Sequence, residues 1–223
     1  MVELISDLRE ETVRANLSAV REQIAAAAAT AGRDPDAVEL LAATKYVAAD
    51  ELPVLAAAGV RLVGENRAQD LQEKVSMHGE LFAWDFIGAL QSRRVRTIVP
   101  RVRLIHSVAS ESALRELDRH RALARPELEV LIEVNVAREP GKSGIAPEEL
   151  DDYLERSPVP VTGLMCMPPL AADPEDSRRW FVALRELAAA RGLQRLSMGT
   201  SQDFAVAVQE GATIVRIGTS LYS

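Results

Sequence analysis

The stretch that decides the fold spans residues 38–63 and reads VELLAATKYVAADELPVLAAAGVRLV. It opens with a short apolar run, 38–44, that is typical of a buried strand. Residues 49–58 follow with the character of a helix, and Leu62-Val63 begins a second apolar run. A strand, a helix and a second strand in this order predict two parallel neighbours in one sheet.

The same alternation continues along the chain and gives eight predicted strands. They cover residues 38–44, 62–63, 83–87, 104–107, 129–134, 161–164, 195–197 and 212–217. Such a series in 223 residues predicts an α/β protein with one closed (β/α)₈ or TIM barrel, whose usual size is roughly 250 residues. A doubly wound open sheet is the alternative, but no glycine-rich dinucleotide-binding sequence follows the first strand.

The residues before the first strand predict one additional helix. An apolar series at helical spacing runs over residues 3–31, and Gly32 marks its end. No linker or low-complexity segment interrupts the remainder of the chain. We therefore expect a single domain over residues 1–223, in which residues 1–33 form an N-terminal helix packed on the barrel.

Composition excludes several classes of function. A net charge of −7 argues against nucleic-acid binding, which needs a basic surface. Because the sequence has no long apolar run and no basic leader, we expect neither a membrane span nor secretion. The single cysteine, Cys166, cannot form an intramolecular disulfide and favours a cytoplasmic location. One cysteine and scattered histidines offer no metal site.

Lys45 is the first candidate for the functional site, because active sites in such barrels form at the carboxyl ends of the strands. It directly follows the first predicted strand, and only three of the 26 basic residues are lysines. An amine at the barrel mouth against an apolar wall can condense with a carbonyl group to form an imine. A solvated lysine just beyond a strand is an equal alternative at this point.

Two clusters of small and hydroxylated residues follow the seventh and eighth predicted strands. Their members are Ser197, Met198, Gly199 and Ser201 in the first cluster and Gly218 and Thr219 in the second. Segments at these places commonly bind phosphate in such barrels. Ordinary turns are the alternative, with Ser201 then only capping the next helix. His106, at the end of the fourth predicted strand, could face the same mouth.

These residues lie within sequence blocks that resemble the pyridoxal phosphate homeostasis proteins, barrels related to the N-terminal domain of alanine racemase. The resemblance covers nearly the whole chain. Its blocks are LLAATK at 40–45, GEN at 64–66, FIG at 86–88, LQS at 90–92, KSG at 142–144, GLM at 163–165, LSMGTSQD at 196–203 and VRIGT at 215–219.

The resemblance implies a cofactor and a role for the main candidates. It implies that Lys45 carries pyridoxal 5′-phosphate (PLP) as a Schiff base. It also implies that a loop at 197–201, together with Gly218 and Thr219, holds the phosphate. Arg216 matches the arginine that faces the ring nitrogen in the racemase relatives.

Two further residues, Asn66 and His106, would line the mouth according to the same resemblance. The chain departs from the family at two positions. Val47 stands where a second lysine is common, and Thr200 stands where methionine is usual. Neither departure removes an implied cofactor contact.

Three functions compete at this stage. The resemblance favours intracellular PLP homeostasis without efficient catalysis, with apo-forms of PLP-dependent enzymes as acceptors. Because the sequence contains no second domain, we expect a monomer. The second is a PLP-dependent amino-acid racemase, which needs a base on each face of its substrate. The third is a phosphosugar enzyme that forms an imine between its substrate and a lysine. It needs acid–base groups beside that lysine, for which Glu65 and His106 are the candidates.

Overall fold

The computed structural model describes residues 4–222 and shows eight parallel strands that close into a barrel. They are β1 (Glu39–Ala43), β2 (Leu62–Glu65), β3 (Ala83–Phe86), β4 (Leu104–Val108), β5 (Glu129–Glu133), β6 (Val161–Met165), β7 (Arg195–Thr200) and β8 (Ile214–Ile217). Each strand pairs with its neighbours in chain order, and β8 pairs with β1. The predicted barrel is confirmed.

Helices precede, connect and follow the strands on the outside of the barrel. They are α1 (Glu10–Thr30), α2 (Leu52–Ala57), α3 (Ala68–His78), α4 (Val95–Ile98), α5 (Glu111–His120), α6 (Leu150–Arg156), α7 (Arg178–Ala189), α8 (Phe204–Gln209) and α9 (Thr219–Tyr222). Within residues 4–222 none of these helices combines the length and apolar character that a bilayer crossing requires.

The sheet has an apolar core on each side. One cluster of buried apolar side chains comes from the inward positions of six strands, namely Leu41, Leu62, Leu104, Leu131, Met165 and Ile214. A larger cluster packs the outer face of the sheet against the helices. Side chains two residues apart on a strand share a face. The next inward positions of β4, β5 and β8 therefore hold the buried polar residues His106, Glu133 and Arg216.

The N-terminal helix begins later than its apolar spacing predicts, at Glu10. Before it, the N–H of Ile5 donates to the carbonyl of Tyr46 over 2.6 Å, and the N–H of Ala48 donates to the carbonyl of Ile5 over 3.1 Å. The helix predicted over 3–31 was wrong at its start, because these bonds hold the chain extended on the segment after β1. Residue 3 itself lies outside the described residues.

Helix α1 packs on the outside of the barrel, where the last strand meets the first. It contacts α2, α8 and α9. Its buried face includes Val13, Leu17, Val20 and Ile24. Beyond its end, Arg33 donates to the carbonyl of Ala212 over 2.8 Å. This helix therefore covers the seam between β8 and β1.

A buried ion pair joins β2 to α3 directly beside the end of β1. Lys74 Nζ lies 2.5 Å from Glu65 Oε1 and 2.8 Å from the carbonyl oxygen of Thr44. The hydroxyl of Thr44 donates to the same Glu65 oxygen over 2.7 Å. All three residues are buried. The ion pair therefore fixes the backbone at Thr44, directly before Lys45.

We expect Lys74→Met to lower the free energy of unfolding by about 3–5 kcal/mol, because it leaves the carboxylate of Glu65 buried without its cation. The double variant Glu65→Leu/Lys74→Met should regain much of that loss, since neither charge then remains. Urea unfolding followed by circular dichroism measures both effects. Equal unfolding curves for Lys74→Met and the unaltered protein would contradict this role for the pair.

Candidate functional site

The carboxyl ends of the strands surround a cavity of about 420 Å³. The candidate residues from the sequence that line it are Lys45, Asn66, Ser201, Arg216, Gly218 and Thr219. Other lining residues, which sequence reasoning did not single out, include Ile5, Tyr46, Ile87, Met167 and Tyr222. The volume falls in the range of small-molecule sites, roughly 300–1,000 Å³.

Lys45 is the lysine that reaches this cavity. Its Nζ lies 4.8 Å from the centroid of the Tyr46 ring. Lys74 is buried in its ion pair with Glu65. Lys142 is exposed, has its Nζ 3.9 Å from a carboxylate oxygen of Glu139, and contributes nothing to the lining. All three lysines are described, and Lys45 is the one that lines this cavity. Lys142 lines a neighbouring cavity of about 420 Å³, which shares Met167, Thr200 and Gln202 with the first.

Asn66 follows β2 and forms part of the cavity wall. Its Oδ1 is buried and has no hydrogen-bond partner among the described residues. The segment after β3 crosses very close to it, because a Cβ on Gly88 would lie 2.0 Å from the carbonyl oxygen of Asn66. Glycine at position 88 therefore permits the approach that shapes this wall. The orphaned oxygen is a polar group that a ligand can engage.

Strand β7 is longer than predicted and includes three of the candidate residues. Ser197, Met198 and Gly199 lie within the strand. Ser197 is buried in contact with Arg216, while Met198 is buried in the core between sheet and helices. The expectation that these residues form a loop at the mouth was wrong. Ser197 and Gly199 are residue types that are common in turns, yet the strand continues to Thr200.

Gly199 redirects the chain at the end of β7. Its φ is +90°, and the register of β7 against β8 shifts between Ser197 and Thr200. A Cβ at this position would lie 2.6 Å from the Cβ of Ala207 and 2.9 Å from the Cα of Phe204. Glycine therefore allows α8 to pack against the strand where the chain turns toward the cavity.

Ser201 connects the segments that follow β7 and β8. Its hydroxyl accepts the N–H of Gly218 over 3.2 Å. Asp203 occupies the N-cap position of α8, so the alternative in which Ser201 caps this helix does not hold. Asp203 Oδ1 accepts the N–H of Thr200 over 2.8 Å and closes the turn. A Cβ on Gly218 would meet no atom nearer than 3.8 Å, which leaves room beside that residue.

His106 lies inside the barrel instead of on the cavity wall. Its ring is fully buried, with Nδ1 2.8 Å from Ser197 Oγ and Nε2 3.1 Å from Asp85 Oδ2. The expectation that His106 lines the mouth was wrong, because β4 continues beyond it to Val108. Sequence reasoning also missed Asp85. The feature that could have identified it is a single carboxylate within an otherwise apolar predicted strand.

Arg216 extends from this interior to the cavity. One terminal nitrogen, Nη1, donates to the carbonyl of Ser197 over 2.9 Å and to its hydroxyl over 2.6 Å. The other, Nη2, donates to the carbonyl of Cys166 over 3.0 Å and to the sulfur of Met167 over 2.9 Å. The guanidinium is therefore held on three sides while it lines the cavity.

Burial determines which of these interior groups are charged. It lowers the pKa of His106, and the charges of Arg216 and Arg103 lower it further against the opposing effect of Asp85. Burial also lowers the pKa of Arg216, although a guanidinium stays charged at neutral pH. Burial raises the pKa of the Cys166 thiol to about 12. A neutral imidazole and a cationic guanidinium therefore share the interior.

A larger cavity, of about 530 Å³, lies at the opposite end of the barrel beside α1. Its charged lining includes Arg21, Glu39, Arg61 and Arg103, and it contains no lysine. It therefore lacks the amine on which the candidate chemistry depends. Across residues 4–222 the structure contains no group of three side chains suited to holding a metal ion.

Comparison with known proteins agrees with this architecture. The family model described as the N-terminal domain of alanine racemase matches residues 15–223. A relative from Aquifex aeolicus, named pyridoxal phosphate homeostasis protein, is 41% identical over 217 residues, which cover 92% of this chain and 95% of that protein.

Two solved structures are similar over the full barrel. An unknown protein from Bifidobacterium adolescentis is 33% identical with a TM-score of 0.87, and the match covers 99% of this chain and 98% of that one. PipY of Synechococcus elongatus, solved with PLP bound, is 30% identical with a TM-score of 0.80, covering 95% and 100%. The chain therefore belongs to the alanine racemase N-terminal domain family, among the pyridoxal phosphate homeostasis proteins.

Proposed function

We propose that the chain binds PLP in the mouth cavity, holds it as a Schiff base on Lys45 and serves PLP homeostasis. The observation that carries this proposal is the shared cavity of Lys45, Arg216 and Ser201, from which the other two lysines are absent. The names of close relatives and the PLP in the structure of PipY support the choice of cofactor.

The lining residues fit the separate parts of this cofactor. Lys45 supplies the amine that condenses with its aldehyde. Ser201, Gly218 and Thr219 would hold the phosphate, since the space beside Gly218 allows close approach to the backbone. Arg216 would donate a hydrogen bond to the ring nitrogen.

Holding the cofactor fits these residues better than efficient catalysis does. PLP supplies an electron sink for amino-acid chemistry when its ring nitrogen is protonated. Arg216 offers that nitrogen an N–H donor, which favours the unprotonated ring. The described lining of the cavity contains no carboxylate and no imidazole. Glu65 and His106, the candidate acid–base groups of a phosphosugar enzyme, are buried in other contacts.

The racemase alternative needs two bases on opposite faces of a substrate. Apart from Lys45 and Arg216, the titratable lining groups of the described cavity are the phenols of Tyr46 and Tyr222. Tyr46 adjoins Lys45, whose Nζ lies over its ring, so the two stand on one side. The Tyr222 hydroxyl donates to the carbonyl of Ala43 over 3.2 Å, and burial raises its pKa.

We also propose a location and a set of partners for the protein. The protein would act in the cytoplasm as a monomer and pass the cofactor to apo-forms of PLP-dependent enzymes. Its one thiol, Cys166, is fully buried and unpaired, which suits a reducing compartment. Exposed parts of Tyr46 and Met167 border the cavity, so the cofactor can exchange with solvent there.

Borohydride reduction of the protein mixed with PLP, followed by peptide mapping, should place the pyridoxyl group on Lys45. Lys45→Ala should lose the adduct and keep its circular dichroism spectrum, because this side chain lies outside the packed core. Lys142→Ala is the matched control, since it removes the other exposed lysine and should retain the adduct. A main adduct on Lys74 or Lys142 would refute the assignment.

Free pyridoxal should bind at least about tenfold more weakly than PLP, because losing a charge-assisted hydrogen bond costs roughly 1.5–3 kcal/mol. Ser201→Ala should weaken the binding of PLP and leave that of pyridoxal nearly unchanged. Absorbance titration measures all four affinities. If both ligands bind the unaltered protein equally well, the phosphate site lies elsewhere.

Exchange of the α-proton of L- and D-alanine in D₂O should be no faster with the PLP-loaded protein than with free PLP. The reason is that the cavity pairs Arg216 with the ring nitrogen and supplies no base on the second face. Proton NMR follows the exchange, with Lys45→Ala as the control. Rates of about 1–10³ s⁻¹, which are ordinary for enzymes, would favour catalysis over cofactor holding.

A further inference from the structure

A buried chain of polar side chains runs from the middle of the barrel to Arg216. His106 Nε2 lies 3.1 Å from Asp85 Oδ2, and His106 Nδ1 lies 2.8 Å from Ser197 Oγ. Ser197 Oγ in turn lies 2.6 Å from Arg216 Nη1. Three of the four side chains are completely buried and Arg216 nearly so. Contacts of this kind in a dry interior are strong and strictly oriented.

Asp85 sets the donor and the acceptor of each hydrogen bond between His106, Ser197 and Arg216. Its carboxylate also accepts two N–H groups of Arg103, at 2.9 and 3.2 Å, and Arg103 is paired in turn with Glu39. A carboxylate held by a guanidinium only accepts. The proton of the neutral His106 ring therefore sits on Nε2 and is donated to Asp85, which leaves Nδ1 as an acceptor.

The hydroxyl of Ser197 must then donate to Nδ1 of His106. Its lone pairs consequently face Arg216 and accept an N–H of Nη1. With the carbonyls of Ser197 and Cys166 and the sulfur of Met167, all four N–H groups of the two terminal nitrogens have acceptors. An arginine has five N–H donors. The remaining one, on Nε, is the donor that Arg216 can offer to the cavity it lines.

We propose that His106 and Asp85 are positioning residues for the ring nitrogen of PLP, acting through Ser197 to hold Arg216 in one donor orientation. The inference rests on the proposed function of the cavity. Neither residue touches the cavity, and both act only by fixing which atoms donate and accept. The anchor at the far end is Arg103, whose two ion pairs keep Asp85 an acceptor.

Asp85→Asn tests this order of donors and acceptors directly. The carboxamide oxygen should face Arg103, because its NH₂ group would otherwise oppose the N–H groups of that guanidinium. The NH₂ group then faces His106 Nε2 and moves the ring proton to Nδ1. The hydroxyl of Ser197 then accepts from both neighbours, and its own proton loses its acceptor on His106. With its donor side unsatisfied, the hydroxyl is no longer held in one orientation toward Arg216. Ser197→Ala removes a single hydroxyl and with it the hydrogen bonds to both His106 and Arg216.

The measurement is the ¹⁵N chemical shift of the ring nitrogen in protein loaded with ¹⁵N-labelled PLP, together with PLP affinity. Both Asp85→Asn and Ser197→Ala should move the shift and weaken PLP binding about tenfold. Glu39→Gln is the matched control, since it disturbs the ion pairs of Arg103 and leaves the order of donors intact. It should retain the original shift.

The outcomes separate this inference from the proposed function. A ring-nitrogen shift unchanged in both variants, with the Lys45 adduct still formed, would overturn the positioning role alone. Should Asp85→Asn fail to fold, Ser197→Ala decides the question, because it removes one atom and no charge. Failure of the unaltered protein to form the Lys45 adduct would instead refute the proposed function, and with it this inference.

Discussion

Pairing of the last strand with the first closes the barrel, and the site depends on that closure. In the register of β1 and β8, Leu41 lies opposite Arg216 and Ala42 lies opposite Ile217. The chain leaves β1 and β8 only a few residues later, so Lys45 and Gly218 emerge side by side. Groups that are far apart in sequence thus meet at one mouth because parallel strands in a closed sheet end at the same edge.

Buried charge is the second constraint on this architecture. The interior contains Asp85, Glu133 and Arg216 with little or no exposure, and charges in such places are unfavourable unless they are paired and hydrogen-bonded. Asp85 is paired with Arg103, and Arg216 donates hydrogen bonds to Ser197. Burial raises the pKa of Glu133 and so favours its neutral form. The contacts with Ser197 and Cys166 hold the guanidinium of Arg216, a residue that also lines the cavity.

The sequence predicted the barrel and the position of Lys45 at its mouth, because both depend on regular alternation and on strand ends. It failed where one residue decides the local geometry. Strand β7 continues past Ser197 to Thr200, and the positive φ of Gly199 redirects the chain only at its end, so most of the expected loop is part of the strand. His106 looked like a strand end, yet two more strand residues follow it. The contact of Ile5 with the segment after β1 is long-range, and no local pattern reveals it.

The most direct test of this account is a crystal structure of the protein soaked with PLP. The account predicts continuous electron density from Lys45 Nζ into the cofactor, with the phosphate beside Ser201 and Thr219 and the ring nitrogen facing Arg216. Cofactor joined to Lys142, or located in the opposite cavity beside Arg103, would contradict it.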